Sequence, residues 1–201
     1  MGFKTGLPMF ADGEVPARLR QGGAADLGRT VAMMQRLTPG RTVEPTAPRL
    51  GHALHPPSGP AFAASFPGVD VVCDRQLPAD RPSELPAPPV AASAGRRLVL
   101  HAMHSVADWS AFAVREDGRL VRSTSVYPDE GFIEDIGEPL PFEAPYRAEG
   151  LDMLPFRALA LGVDALRALC GISLEDPPGP ADVNDMVIEL HGFLVRGPIS
   201  G

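Results

Sequence analysis

Two histidines, a serine and an aspartate crowd one short stretch, His101, His104, Ser105 and Asp108, and the only tryptophan, Trp109, follows directly. Imidazole beside carboxylate is the material of general acid–base catalysis, because one titrates near neutrality and the other accepts a proton or orients its neighbour. Upstream, Asp70, Asp74 and Arg75 mark the end of an apolar run, and downstream Arg122 interrupts another. A guanidinium among such groups steadies a phosphate, sulfate or carboxylate on a substrate.

Simpler chemistries are weighed first. Histidines three apart on a helix share a face and can chelate. Here Leu98-Val-Leu100 and Ala102-Met103 surround them and read as a buried strand, where three apart means opposite faces. No metal is expected. His104-Ser105 with Asp108 is too local for a nucleophile, base and orienter taken from separate elements, and no Gly-x-Ser-x-Gly elbow occurs. Cys73 is followed by Asp74 and Arg75, whose effects on a thiol oppose each other, and reads as a buried structural cysteine. Without a Gly-rich phosphate loop or dinucleotide fingerprint, no cofactor is expected.

What remains is convergence. If the strands ending near Asp74 and His104 share a rim, the catalytic groups are His101, His104, Asp70, Asp74 and Asp108, and the substrate-binding groups are Arg75, Arg122 and Trp109. The plainer alternative is that these charges form structural ion pairs.

The elements that must position them are partly legible. Asp117-Gly118 between two β-prone runs predicts a hairpin with a type I′ turn, since that turn needs positive φ at both central residues. Pairing 116 with 119 and counting outward sets Arg122 opposite Ala113, on the face of Trp109, Ala111, Thr124 and Val126, away from Phe112 and Val114. An Arg on a covered face there needs a carboxylate or a ligand anion. Phe3–Phe10 reads as a first strand that Pro8 confines to an edge or an early end. Leu27, Val31, Met34 and Leu37 recur at helical spacing up to Pro39-Gly40.

Residues 41–60 read as loop, Ala61–Ser65 and Val69–Asp74 as strands broken at Pro67-Gly68, and 77–94, with five prolines, as a long excursion with one short helix. Tyr127–Pro145 reads as loop and short strand, Asp164–Leu169 as a helix capped by Gly171, Pro180–Asp185 as a helical turn, and Val187–Val195 as a closing strand. Strands outnumber helices and no βαβ period is visible. The expected class is α+β, with an antiparallel or mixed central sheet, a few packing helices and long Pro/Gly-rich loops.

The totals bound the rest. At 201 residues, one domain spanning 1–201 is expected, large enough for a real core. The net charge of −7 is uneven, with −11 carried by residues 127–189. An acidic chain with no basic run is not expected to track nucleic acid. Lys4 is the only lysine, and 21 Gly and 23 Pro suggest a GC-rich coding sequence as much as long loops. Cys73 and Cys170 fit no zinc or redox spacing. With no signal-like or membrane-length apolar run, a soluble, cytoplasmic protein that does not contact a membrane is expected.

Several longer runs carry a resemblance. Phe66-Pro-Gly-Val-Asp-Val-Val-Cys-Asp-Arg75, Gly95-Arg-Arg-Leu-Val-Leu-His-Ala-Met-His-Ser-Val-Ala-Asp-Trp109, Arg115-Glu-Asp-Gly-Arg-Leu-Val-Arg122, Gly137-Glu-Pro-Leu-Pro-Phe-Glu-Ala-Pro-Tyr146 and His191-Gly-Phe193 resemble a family of small actinobacterial proteins of unknown function. The resemblance runs over nearly the whole chain and implies an actinobacterial, soluble, single-domain protein, with no activity to transfer. The chain departs from the family pattern at Pro8 and in a short segment from Arg147 to Leu154, either of which would reshape the edge of a cleft.

Two functions follow as expectations. The first is a cofactor-independent enzyme of specialised metabolism, acting on a small-molecule or carrier-bound substrate by proton abstraction with displacement or elimination of an anionic group. The other is a non-catalytic module that binds a protein through its Pro-rich loops or a sheet edge. Unpaired Arg122 and His101 in a concave pocket would favour the enzyme, and fully paired rim charges the binder.

Overall fold

The first strand, β1 (Lys4–Ala11), lies near the middle of the sheet, not at its edge, with Pro8 inside it. Its ladder to β5 (Arg97–His104) is unbroken, whereas the ladder to β4 (Val69–Cys73) pairs only Met9–Ala11, and the Asp74 amide then reaches the Gly6 carbonyl at 2.8 Å. Gly6 and Pro8 face the same neighbour because strand groups alternate. The missing proline N–H therefore falls on the β4 side, where the ladder is interrupted. A proline, which cannot donate, predicts an edge or an early end, but one local gap lets a central strand absorb it.

The computed structural model describes residues 4–46, 61–74, 80–148, 157–174, 178–183 and 188–197. Within them the remaining strands are β2 (Thr42–Pro45), β3 (Ala61–Phe66), β6 (Trp109–Glu116), β7 (Arg119–Tyr127), β8 (Gly131–Ile136) and β9 (His191–Arg196). The helices are α1 (Val15–Gln21), α2 (Leu27–Leu37), α3 (Ala87–Ala92), α4 (Ala144–Ala148) and α5 (Ala158–Ala165). The strands form one nine-stranded sheet in the order β2-β9-β3-β4-β1-β5-β6-β7-β8, every ladder antiparallel. The protein is thus α+β with an antiparallel sheet. β2 lies in a stretch that reads as loop, because its four residues carry too little pattern to declare a strand.

Both faces of the sheet are covered. On one, Leu7, Met9, Val71, Val99, Phe112 and Val114 meet α1, α5 and a five-residue π-helical turn, Leu166–Cys170. Gly171 ends that turn at φ +73°. α5 begins at Ala158, earlier than its spacing suggests, and comes so close to the sheet at Gly162 that an added Cβ would lie 2.6 Å from Met103 Sδ. On the other face, Met33 and Met34 of α2 pack on Phe10, Leu98, Ala61, Ala63 and Phe193. α2 starts where Asp26 caps the Arg29 amide at 3.0 Å and runs to Leu37. α3 forms despite Pro88 and Pro89, because the first helical turn needs no amide donors.

The hairpin corrects the counted register. Asp117 and Gly118 have φ of +49° and +75°, as a type I′ turn requires. Pairing holds at Glu116–Arg119 and Arg115–Leu120, then shifts so that Val114 faces Arg122, Phe112 faces Thr124 and Ala111 faces Ser125. Val121 is the extra residue of a β-bulge, and a slip of one residue flips every later side chain. Arg122, Thr124 and Val126 consequently share the face of Phe112, while Ser123 and Ser125 join Trp109.

Candidate functional site

β4 and β5 both pair antiparallel with β1, so they run parallel to each other and end at the same side of the sheet. This brings Asp74 and His104 to one rim. Alternation places both on the α2 face, with Gly6 and Ala102 between them, and Trp109 pairs with His104 across β5 and β6. Asp108 closes the turn before Trp109 at φ +47°. Strand spacing sets the Cα atoms of Asp74 and His104 roughly 12 Å apart, far enough that a molecule would have to span them.

Small residues make the floor here, Gly6, Ala102 and Ala111, and two aromatic rings stand beside it. Trp109 and Tyr127 lie 6.0 Å apart at 40°. The Trp109 indole N–H donates to Ser125 Oγ at 3.0 Å, and the Tyr127 hydroxyl donates to Asp80 Oδ1 at 3.4 Å. Burial first, and then Asp80 and Glu130, push the Tyr127 pKa up. Tyr127, Ser125 and Asp80 are absent from the sequence-based site. Tyr127 and Ser125 join this face only through the bulge, and Asp80 arrives from the Pro-rich excursion.

The other expected residues lie elsewhere. His101 is on the α5 face, 1% exposed, with its Nε2 2.8 Å from the Gly162 carbonyl and no partner for Nδ1. A carbonyl accepts, so Nε2 carries a proton. Burial lowers its pKa to about 4, although the Gly162 bond works the other way. Asp70 sits toward the opposite end of β4, held by Arg96 Nη1 at 2.5 Å. Arg96 also donates to Asp12 Oδ1 at 2.8 Å and to the Phe10 carbonyl at 2.7 Å. Arg75 lies outside the described residues.

Arg122 is wholly buried on the α5 face. Its Nε meets Glu143 Oε1 at 2.8 Å, Nη2 meets Oε2 at 2.5 Å, and Nη1 donates to the carbonyls of Ile136 and Gly137 at 2.9 and 3.0 Å. Asp135 adds an ion pair at 2.7 Å, and Arg147 ties Asp135 and Glu143 together from outside at 2.7 and 3.1 Å. The carboxylate that a covered Arg122 needs is therefore internal. Nothing in the run 137–146 singles out Glu143 from its acidic neighbours, so the sequence offered no signal for it.

A separate cavity of about 560 Å³ opens between α2 and α3, lined by Ala87, Pro88, Ala91 and Ala92 with Arg36 and Arg96. It is remote from the Asp74–His104 rim, at the end of β5 where Arg96 stands. Among the described residues, no group of three or more His, Cys, Asp and Glu side chains could hold a metal ion. No helix there is long and apolar enough to cross a membrane.

The fold and its rim define an α+β protein with a wide antiparallel sheet and internally paired strand charges. The chain belongs to a family of unknown function, DUF6928, whose model matches residues 5–193. No curated protein and no solved structure matches it.

Proposed function

We propose that this protein works by binding a partner protein and not by catalysis. One observation supports the reading above the rest: the charges that the strands carry into the sheet are consumed by the fold. Asp70 is bound by Arg96, Arg122 by Glu143 and Asp135, and Arg97 by Glu14 and Glu116 at 2.6 and 2.7 Å. The buried imidazole of His101 stays neutral near pH 7 and has no open route to a substrate. An acid–base centre needs titrating groups within reach of a reacting atom, and the two central to such a centre, His101 and Arg122, are sealed. Cys73 and Cys170, buried and outside any disulfide, fit a reducing, cytoplasmic setting.

A second reading is favoured by the rim. His104 is half-buried and shares the end of the sheet with Asp74, Asp108 and Trp109, and its side chain makes no hydrogen bond or ion pair among the described residues. On that reading the protein is a cofactor-independent enzyme of actinobacterial specialised metabolism, with His104 as the base acting on a substrate that carries an anionic group. Its weakness is the anion clamp, since Arg122 is already engaged.

One experiment separates the two. The chromosomal copy is replaced by a triple variant, Asp74→Asn, His104→Gln and Asp108→Asn, and its transcript profile is compared with those of wild type and a deletion strain. Binding without catalysis expects the variant to track wild type. A variant that tracks the deletion, while the purified protein melts like wild type, overturns that reading in favour of the enzyme.

A further inference from the structure

We infer that the outer edge of β8 is the docking surface and that its partner is a basic segment that pairs as an added strand. The inference rests on the binding reading above and names the surface and the chemistry. β8 ends the sheet, and among the described residues no strand and no backbone hydrogen bond from another segment meets its outer side. Alternate N–H and C=O groups along Gly131–Ile136 therefore point away from β7, and among the described residues no neighbouring strand takes them up.

The opposite edge is guarded and this one is not. β2 is four residues long, ends in Pro45, and is bridged to β9 by Glu44 and Arg196 at 3.3 Å. Short length and proline are the usual means by which an edge refuses a new strand. β8 is six residues long with neither Pro nor Lys. Ile136, on the edge strand itself, is 43% exposed. It offers an added strand an apolar contact.

Charge selects the partner. Residues 128–138 contain five acids and no basic residue. Glu134 is turned inward to Ser83 and Ser123, and Asp135 is held by Arg147 and Arg122. Asp129, Glu130 and Glu138 are exposed, flank the strand at both ends, and have no ion pair among the described residues. A second copy is disfavoured. Two β8 strands paired about a two-fold axis would set Asp129 and Glu130 of one against Glu138 of the other. An extended segment alternating basic and apolar residues satisfies backbone, Ile136 and carboxylates together.

The test uses the full chain and three fluorescein-labelled octapeptides: alternating Lys-Val, alternating Glu-Val, and Lys-Val with the amides of one edge N-methylated. Anisotropy reports binding, and amide hydrogen exchange locates it. Only the unmethylated Lys-Val peptide should bind, slowing exchange within residues 131–136, and Glu130→Lys with Glu138→Lys should weaken it about tenfold. These exposed substitutions leave the fold intact, which the melting curve checks. Equal binding of the N-methylated peptide, protection elsewhere, no binding at all, or β8 protection that grows with protein concentration alone would each overturn the assignment. Such failure with the rim triple variant still tracking wild type condemns the edge alone, whereas a variant that tracks the deletion condemns the binding reading.

Discussion

Arg122 and Glu143 lie in two-pronged contact with neither side chain exposed, although 21 residues separate them. The pair joins β7 to the turn preceding α4 and fixes how the chain leaves the sheet. Removing one member strands the other, which costs about 3–5 kcal/mol for a buried pair. Arg122→Met or Glu143→Leu alone should therefore shift the urea midpoint sharply. The double variant should recover most of the loss, because two apolar side chains of similar volume replace a pair whose desolvation offsets its attraction. Additive losses in the double-variant cycle would show that the ion pair does not couple the two positions.

That pair also marks where sequence reading stops. The Asp117-Gly118 turn, the stripe of α2 and the central strand are legible because turn chemistry and periodicity are local. The bulge at Val121 is not: nothing in Leu120-Val121-Arg122 marks the inserted residue, and its position follows from where Arg122 finds a carboxylate. The shared rim of Asp74 and His104 follows from β4 and β5 both pairing antiparallel with β1, which local pattern does not show, and neither does it show the sealing of His101. That sealing depends on α5 approaching at Gly162, a contact sixty-one residues away in the chain.

His101 should make the protein acid-sensitive in a definite window. Its folded pKa is about 4 and its unfolded value 6.5. The unfolded chain therefore takes up a proton first as pH falls. The stabilisation is complete above 6.5 and is lost as pH drops toward 4, reaching roughly 2 kcal/mol by pH 5. His101→Leu should remove this component, so that its midpoint changes less than that of wild type between pH 7.5 and pH 5. The Gly162 carbonyl keeps a donor in the Leu166 amide, so the substitution should cost little at pH 7.5. Equal acid shifts in the two proteins would refute the assignment of a buried neutral imidazole.

Cys73 and Cys170 should be inert in the folded state. Both are fully buried, and burial pushes the Cys170 thiol up to about 12 despite the attraction of Arg97. Thiolate is the reactive form, so Ellman's reagent should release no thionitrobenzoate from the native protein and two equivalents in denaturant. Prompt release of one equivalent under native conditions would show that a cysteine reaches solvent.

Gly137 is where the chain turns off the unguarded edge, and two constraints meet there. Its φ is +85°, a region that side chains other than glycine rarely adopt, and a Cβ would overlap the Val121 carbonyl oxygen. The obstacle is backbone and part of the bulge, so it cannot swing aside as a side chain would. Its own carbonyl also accepts from Arg122, which links the turn to the buried pair. Gly137→Ala should thus cost at least about 2 kcal/mol, combining φ strain with a steric shift. Gly95 serves as the control. It has a similar φ of +71° with nothing within 4 Å of an added Cβ, so Gly95→Ala should show only the conformational part. If both alanine variants lose the same stability in urea titrations, the Val121 contact contributes nothing and the strain is purely one of φ.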